Sequence, residues 1–338
     1  MKPSILGNAP LTSRARFVTG SLAATAVAAS GIPARAAAHP LRVAYFPGVS
    51  ALPLLTAVRA GFFEREGLAV TASATASSAE LFTQLDAGTL DVAHTSIDNP
   101  IAYDAGVGAV PVTHHDFAAF IGIDDGLLRL VARPEIQRID DLRGKTLAVD
   151  ALATGYAFAL RALVSAAGLL DADVTLVARG GTQQRAAGLL AGAFDATLLT
   201  PPFDLVANER GFVTLARVTE RLGAYQGISA VARRAWLAAN RDVAIRYARA
   251  YRAALAHAAA HRDAAVALLA SELAVPTTIA EGSYDAAFVP GAGFERDAAV
   301  DPAGVRTVLR LRARYAPPGA GDDPAAYVNA TILAASRS

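Results

Sequence analysis

Gly188-Leu-Leu-Ala-Gly-Ala-Phe-Asp-Ala-Thr-Leu-Leu-Thr-Pro-Pro-Phe-Asp204 repeats, in chemical outline, a stretch met earlier in the chain at Gln84 to Pro100. Ala87-Gly88 falls on Ala191-Gly192, Asp91 on Asp195, the apolar run Val92 to Thr95 on Ala196 to Leu199, and Ser96 on Thr200. The offset is constant (195 − 91 = 192 − 88 = 104 residues). Each copy reads as a helix stopped by glycine, then a short strand, then a polar residue that opens the next helix beside proline.

The likeness extends upstream. Arg42 to Tyr45 and Lys145 to Asp150 both read as strands entering a loop and helix, and Leu68 to Ser73 and Val174 to Ala178 as the strands that follow. The chain therefore reads as two similar α/β lobes, each a strand-helix-strand-helix-strand-helix unit whose crossovers favour a parallel sheet. A length of 338 residues suits two cores.

Lys plus Arg (31) and Asp plus Glu (30) nearly cancel, so the overall field offers little attraction to phosphate backbones, and nucleic acid is not an expected partner. The chain has no Cys, which excludes disulfides, thiolate catalysis and thiolate metal sites. Lys2, Arg14 and Arg16, the uncharged run Phe17 to Ala34 and the small-x-small site Ala34-Arg35-Ala36 have the form of a secretory signal peptide, read at residues 1–38. No later apolar run resembles a membrane span, so the mature chain is expected to be soluble.

Along the chain, Leu41 to Phe46 reads as the first strand, and Ser77 with Glu80 as a capping box. Ala109 to Thr113 and Phe117 to Ile123 read as strands around His114-His115-Asp116. Leu127 to Ala132 reads as the first crossing between lobes and Ile228 to Ala232 as the return. Thr200 reads as the N-cap of a helix with Pro201 in its first turn. Beyond Arg233 the chain turns helical: Tyr247, Tyr251 and Leu255 mark a buried stripe, and Arg246, Arg249 and Arg252 a solvated face.

In open parallel sheets ligands bind off the carboxyl ends of the strands, where loops lead into helix N-termini. Four such loops carry small or hydroxyl residues: Ser50 with Ala51, Ser96 with Ile97, Thr154 with Gly155, and Thr200. Ser and Thr cap helices everywhere. It is their recurrence at matching positions in both halves that points to a ligand. Of His114 and His115 only one can line a cleft, because neighbouring strand residues face opposite ways, and His115 is the candidate. No metal-binding His pattern, phosphate loop or nucleophile motif is present, so neither metal, cofactor nor catalytic residue is expected.

Arg42 to Pro53, Gly61-Phe-Phe-Glu-Arg-Glu-Gly-Leu68, the Ala87-Gly88-x-x-Asp91-Val92-Ala93 run and Asp141-Leu-Arg-Gly-Lys-Thr146 resemble the sulfonate, nitrate and taurine-type periplasmic binding proteins, a group that includes the NMT1/THI5-like proteins. The resemblance covers roughly residues 41–235. It implies a type II periplasmic-binding-protein fold, two Rossmann-like lobes joined by two crossover segments with a ligand cleft between them. Lobe one would take 41–125 and 224–338, and lobe two 126–223. The implied function is periplasmic capture of a small organic molecule (sulfonate, carboxylate or pyrimidine-like) by a monomer that serves an ABC permease. The family's ligand loops coincide with those at Ser50, Ser96, Thr154 and Thr200, and Gln226 on the return crossing is a further candidate. Asp98, beside the expected pocket, is unhelpful to a sulfonate. Two other readings stand beside this one: an enzyme on the same fold, pyrimidine synthase-like or menaquinone-pathway lyase-like, and a periplasmic ligand sensor. The synthase depends on a Cys-rich motif that a Cys-free chain cannot supply, and both enzymes are cytoplasmic, against the signal peptide.

Overall fold

The computed structural model describes residues 38–289 and 292–337. The signal peptide read at residues 1–38 lies, up to residue 37, outside them. Ten strands form two five-stranded sheets. The first contains β1 (His39–Tyr45), β2 (Leu68–Ala74), β3 (Val92–Ser96), β4 (Phe117–Gly122) and β10 (Ile228–Arg233), in the order β2-β1-β3-β10-β4. The second contains β5 (Arg129–Ala132), β6 (Thr146–Val149), β7 (Thr175–Ala178), β8 (Ala196–Leu199) and β9 (Val213–Arg217), in the order β7-β6-β8-β5-β9.

The expected parallel sheets are mixed. β1 pairs in parallel with β2 and β3, and β6 with β7 and β8, but β10 runs antiparallel to β3 and β4, and β5 antiparallel to β8 and β9. The reason is topological. β5 and β10 are the strands that receive the chain as it crosses from one sheet to the other, so each starts at the end where its neighbours finish.

The internal repeat has a physical cause. Asp91 Oδ2 accepts the Arg42 backbone N–H at 2.8 Å, and Asp195 Oδ2 accepts the Thr146 backbone N–H at 2.8 Å. Each aspartate thus fastens the entry of its own strand to the neighbouring strand, β3 to β1 and β8 to β6. Gly88 and Gly192 stop the preceding helices at φ 66° and 73°, a region open to glycine without a Cβ penalty.

Apolar layers cover both faces of both sheets. One core gathers Phe82, Ile97 and Phe117 with Leu147, Val149 and Phe158, together with Val305 and Val308 from the helix Pro302–Tyr315, so this long C-terminal helix is packed with residues of both sheets. A second core lies between the first sheet and the helices Leu52–Arg59 and Arg241–Ala260, and a third behind the second sheet. Tyr247, Tyr251 and Leu255 are buried as their spacing predicts. The arginines beside them are not merely solvated: Arg246 donates to the Glu66 carbonyl at 2.8 Å, Arg249 to the Glu66 carboxylate at 2.9 Å and Arg252 to the Ser336 carbonyl at 3.2 Å. Among the described residues no single helix is long and apolar enough to cross a membrane.

Two local expectations fail. Ala109 to Thr113 is no strand; the Asp86 carboxylate takes the N–H groups of Thr113 and His114, each at 2.8 Å, and holds the segment in an irregular path. Thr200 is not an N-cap, because the helix starts at Phe203, after a turn in which the Thr200 carbonyl accepts the Phe203 N–H at 2.8 Å.

Candidate functional site

A cavity of about 200 Å³ lies between the two sheets, where the segments that follow β1, β2, β3, β6, β7 and β8 meet. Ser50, Ala51, Ser96, Thr154, Gly155 and Thr200 line it. The other three candidates do not. Ile97 is fully buried in the core. His115 is exposed, with its Nδ1 on the Tyr103 carbonyl at 2.7 Å, because the segment before β4 is irregular rather than a strand. Gln226 is buried as a brace of the crossover: its Nε2 donates to the carbonyls of Asp124 and Ile228, both at 3.1 Å, and its Oε1 accepts the Asp301 N–H at 2.7 Å. The rest of the pair of histidines and their aspartate is likewise engaged, His114 with Asp86 and Asp116 with Arg233.

Three helices point their N-termini into the cavity. Ser77 caps Ser78–Asp86, its hydroxyl accepting the Glu80 N–H at 3.2 Å, while Glu80 turns to Thr75 instead of completing the box. Thr154 caps Gly155–Ala166 and donates to Asp150 Oδ1 at 2.6 Å. Gly181 precedes Thr182–Leu190. Backbone groups from the two sides meet at the rim. The Val49 N–H donates to the Pro201 carbonyl at 3.1 Å, and a methyl group on Gly181 would stand 3.2 Å from the Ala76 carbonyl oxygen.

Asp98 is not a free charge. Its Oδ2 accepts the Gly155 N–H at 2.7 Å and its Oδ1 the Arg312 guanidinium at 2.7 Å, both side chains being almost wholly buried. A Cβ on Gly155 would come within 2.5 Å of Asp98 Cβ, so glycine is required for this approach. Burial pushes the Asp98 carboxyl up, and Arg312 and the Gly155 N–H oppose that shift.

Arg185 is one of the cavity residues that sequence reasoning missed. It is 1% exposed, and its guanidinium meets only neutral acceptors: Thr197 Oγ1 at 3.1 Å, the Gly180 carbonyl at 2.7 Å, Thr182 Oγ1 at 3.3 Å and the Leu198 carbonyl at 3.1 Å. Burial draws its pKa down, opposed by the charge of Asp150, yet a guanidinium stays protonated in proteins. The signal was its place four residues before Leu189 on the buried stripe of its helix. Tyr156 also lines the cavity, with its phenol pushed up by burial and by Asp124 and Asp150.

At the opposite side of the cavity His94 is 2% exposed, and its Nε2 meets the Tyr247 hydroxyl at 2.7 Å. Burial lowers its pKa to about 3, so the ring is neutral near pH 7. Nearby, Asp124 is pushed up to about 6 by burial, with the Ser50 hydroxyl and the Ile228 N–H acting the other way.

Among solved structures, the chain shares its fold with the nitrate-binding protein NrtA from Synechocystis PCC 6803 (TM-score 0.74, 16% identity, 88% of each chain covered). The alkanesulfonate-binding protein SsuA from Xanthomonas axonopodis pv. citri, bound to MOPS, matches at TM-score 0.70 and 17% identity over 83% of this chain and 95% of its own. DszB in complex with biphenyl-2-sulfinic acid matches at TM-score 0.58 and 18% identity, over 89% of this chain and 99% of its own. No curated protein matches the sequence. Residues 34–274 match the NMT1-like family, and the chain belongs to that family.

Proposed function

We propose that the protein is the periplasmic solute-binding component of an ABC importer, a monomer that closes two lobes on a small organic anion and delivers it to a membrane permease. The observation that carries this reading is Arg185, a buried cation on the cavity wall whose hydrogen-bond partners are all neutral. Asp150 acts on it through its charge without a direct contact, and a buried guanidinium with no directly bonded anion is costly; a ligand carboxylate or sulfonate would supply one. The N-termini of the helices Ser78–Asp86 and Thr182–Leu190 favour a negative group in the same space. Asp98, which looked hostile to an anion, is engaged by Arg312 and Gly155. Membership of the NMT1-like family and the fold shared with SsuA and NrtA support the same assignment. A cavity of about 200 Å³ lies below the ~300–1,000 Å³ of drug-sized sites, which suits a small metabolite.

The test is a thermal-shift screen over carboxylates, sulfonates and pyrimidines. A ligand at 100 times its Kd stabilises the fold by about 2.7 kcal/mol. Arg185→Met is expected to remove that stabilisation for the ligand found. A ligand that is uncharged, or that binds the variant as tightly as the wild type, would overturn the anion assignment.

A further inference from the structure

Resting on the receptor reading above, we infer that the cavity is built for an organic anion that also carries a hydroxyl group, with His94 and Ser96 holding that hydroxyl at the side of the cavity away from Arg185. Two atoms carry the argument. His94 Nδ1 and Ser96 Oγ are buried without a hydrogen-bond partner, on residues that are 2% and 9% exposed and that both line the cavity. They stand two residues apart on β3, hence on one face of the strand, beside Ala230 and Ile228 of β10, which offer no side-chain partner. Buried polar groups are ordinarily paired, and each one left unpaired costs about 1–3 kcal/mol. A ligand group seated here would relieve both.

The chemistry of the two atoms selects the group. The Tyr247 hydroxyl on Nε2 can donate or accept, so Nδ1 presents either a lone pair or an N–H according to tautomer. A hydroxyl both donates and accepts, and therefore satisfies either tautomer while also bonding Ser96. A second anionic group fits poorly, since the Asp124 carboxylate lies close by, in reach of the Ser50 hydroxyl. Tyr45, Phe46 and Tyr156 also line the cavity and provide a wall for an apolar or flat body.

Matched pairs test this by titration calorimetry on the mature chain: benzoate with para-hydroxybenzoate, and propanesulfonate with hydroxypropanesulfonate. The hydroxylated member of at least one pair is expected to bind at least about tenfold more tightly, since a site built to bond a hydroxyl rejects the analogue lacking it. Ser96→Ala and His94→Gln should each erase that preference, bringing the hydroxylated member's affinity to within about threefold of its parent's in the same variant. The hydroxyl preference separates recognition from mere folding, and Ser96→Ala keeps the test intact if the His94 variant does not fold. Parent and hydroxylated anions binding alike would overturn the hydroxyl subsite and leave the receptor reading standing. If no anion of the set binds, and native mass spectrometry finds a co-purified ligand lacking an acid group, both fall.

Discussion

His94 puts a polar ring in the middle of a strand that is buried along its whole length, and burial holds it neutral down to about pH 3. The unfolded chain, with a His pKa near 6.5, takes up a proton below that value, while the folded protein does not. The folded state therefore loses stability as pH falls from about 6.5 toward 3, by up to about 1.4 kcal/mol per unit. Asp124 acts in the opposite sense: its folded pKa of about 6 exceeds the unfolded value, so its contribution is present at low pH and lost as pH rises through 6. Comparing the wild type with His94→Gln in urea unfolding at pH 7 and pH 4.5 isolates the histidine. The variant should lose about 2–3 kcal/mol less than the wild type between the two; equal losses would show that His94 is not the acid-sensitive group. At this scale the sequence was only partly legible. Hydroxyl residues at strand ends announced themselves through recurrence, whereas Arg185 was hidden because a single arginine among glutamines reads as the wet side of a helix, and only packing against Thr197 turns it inward.

Elements were more legible than residues, because the aspartate and glycine of each repeat are fixed by backbone needs. Asp195 sits at the end of β6 and β8 remote from the cavity, where its carboxylate satisfies the Thr146 N–H. Asp195→Ala orphans that donor and should lower the free energy of unfolding by about 1–3 kcal/mol in urea titration. Ligand affinity should stay unchanged, since the residues of the site lie at the other end of the strands. A loss of affinity with intact stability would contradict this division of labour. What the periodicity could not convey was strand direction: β5 and β10 look like any other apolar run, and their antiparallel setting follows from where the chain enters each sheet. The irregular path of 109–116 was equally hidden, since it depends on Asp86, more than twenty residues away in the chain.

For the whole molecule, the group joining distant parts is Asp98, which ties the segment that follows β3 to the helix Gly155–Ala166 and to the helix Pro302–Tyr315. Removing one member of a buried ion pair leaves the other charge stranded, which typically costs about 3–5 kcal/mol. Asp98→Ala should destabilise the protein on that scale in thermal or urea unfolding, and Asp98→Ala combined with Arg312→Met should recover much of the loss. A single variant as stable as the wild type would mean that the pair does not hold these elements together. From sequence alone Asp98 looked like an obstacle in the pocket, because its partner lies over two hundred residues later, on a helix beyond the residues the family resemblance covers.

That same carboxylate has a bearing on selectivity. By seating itself on the Gly155 N–H, Asp98 acts as a resident guest at one of the three helix ends that open on the cavity, so a visiting molecule finds that berth taken. With Asp150 on the same wall and Arg185 the sole guanidinium among the described lining residues, the receptor reading leaves room for one ionised group per ligand. A monovalent acid fits this arrangement, and the second charge of a divalent one would find neither a guanidinium nor that helix end open to it.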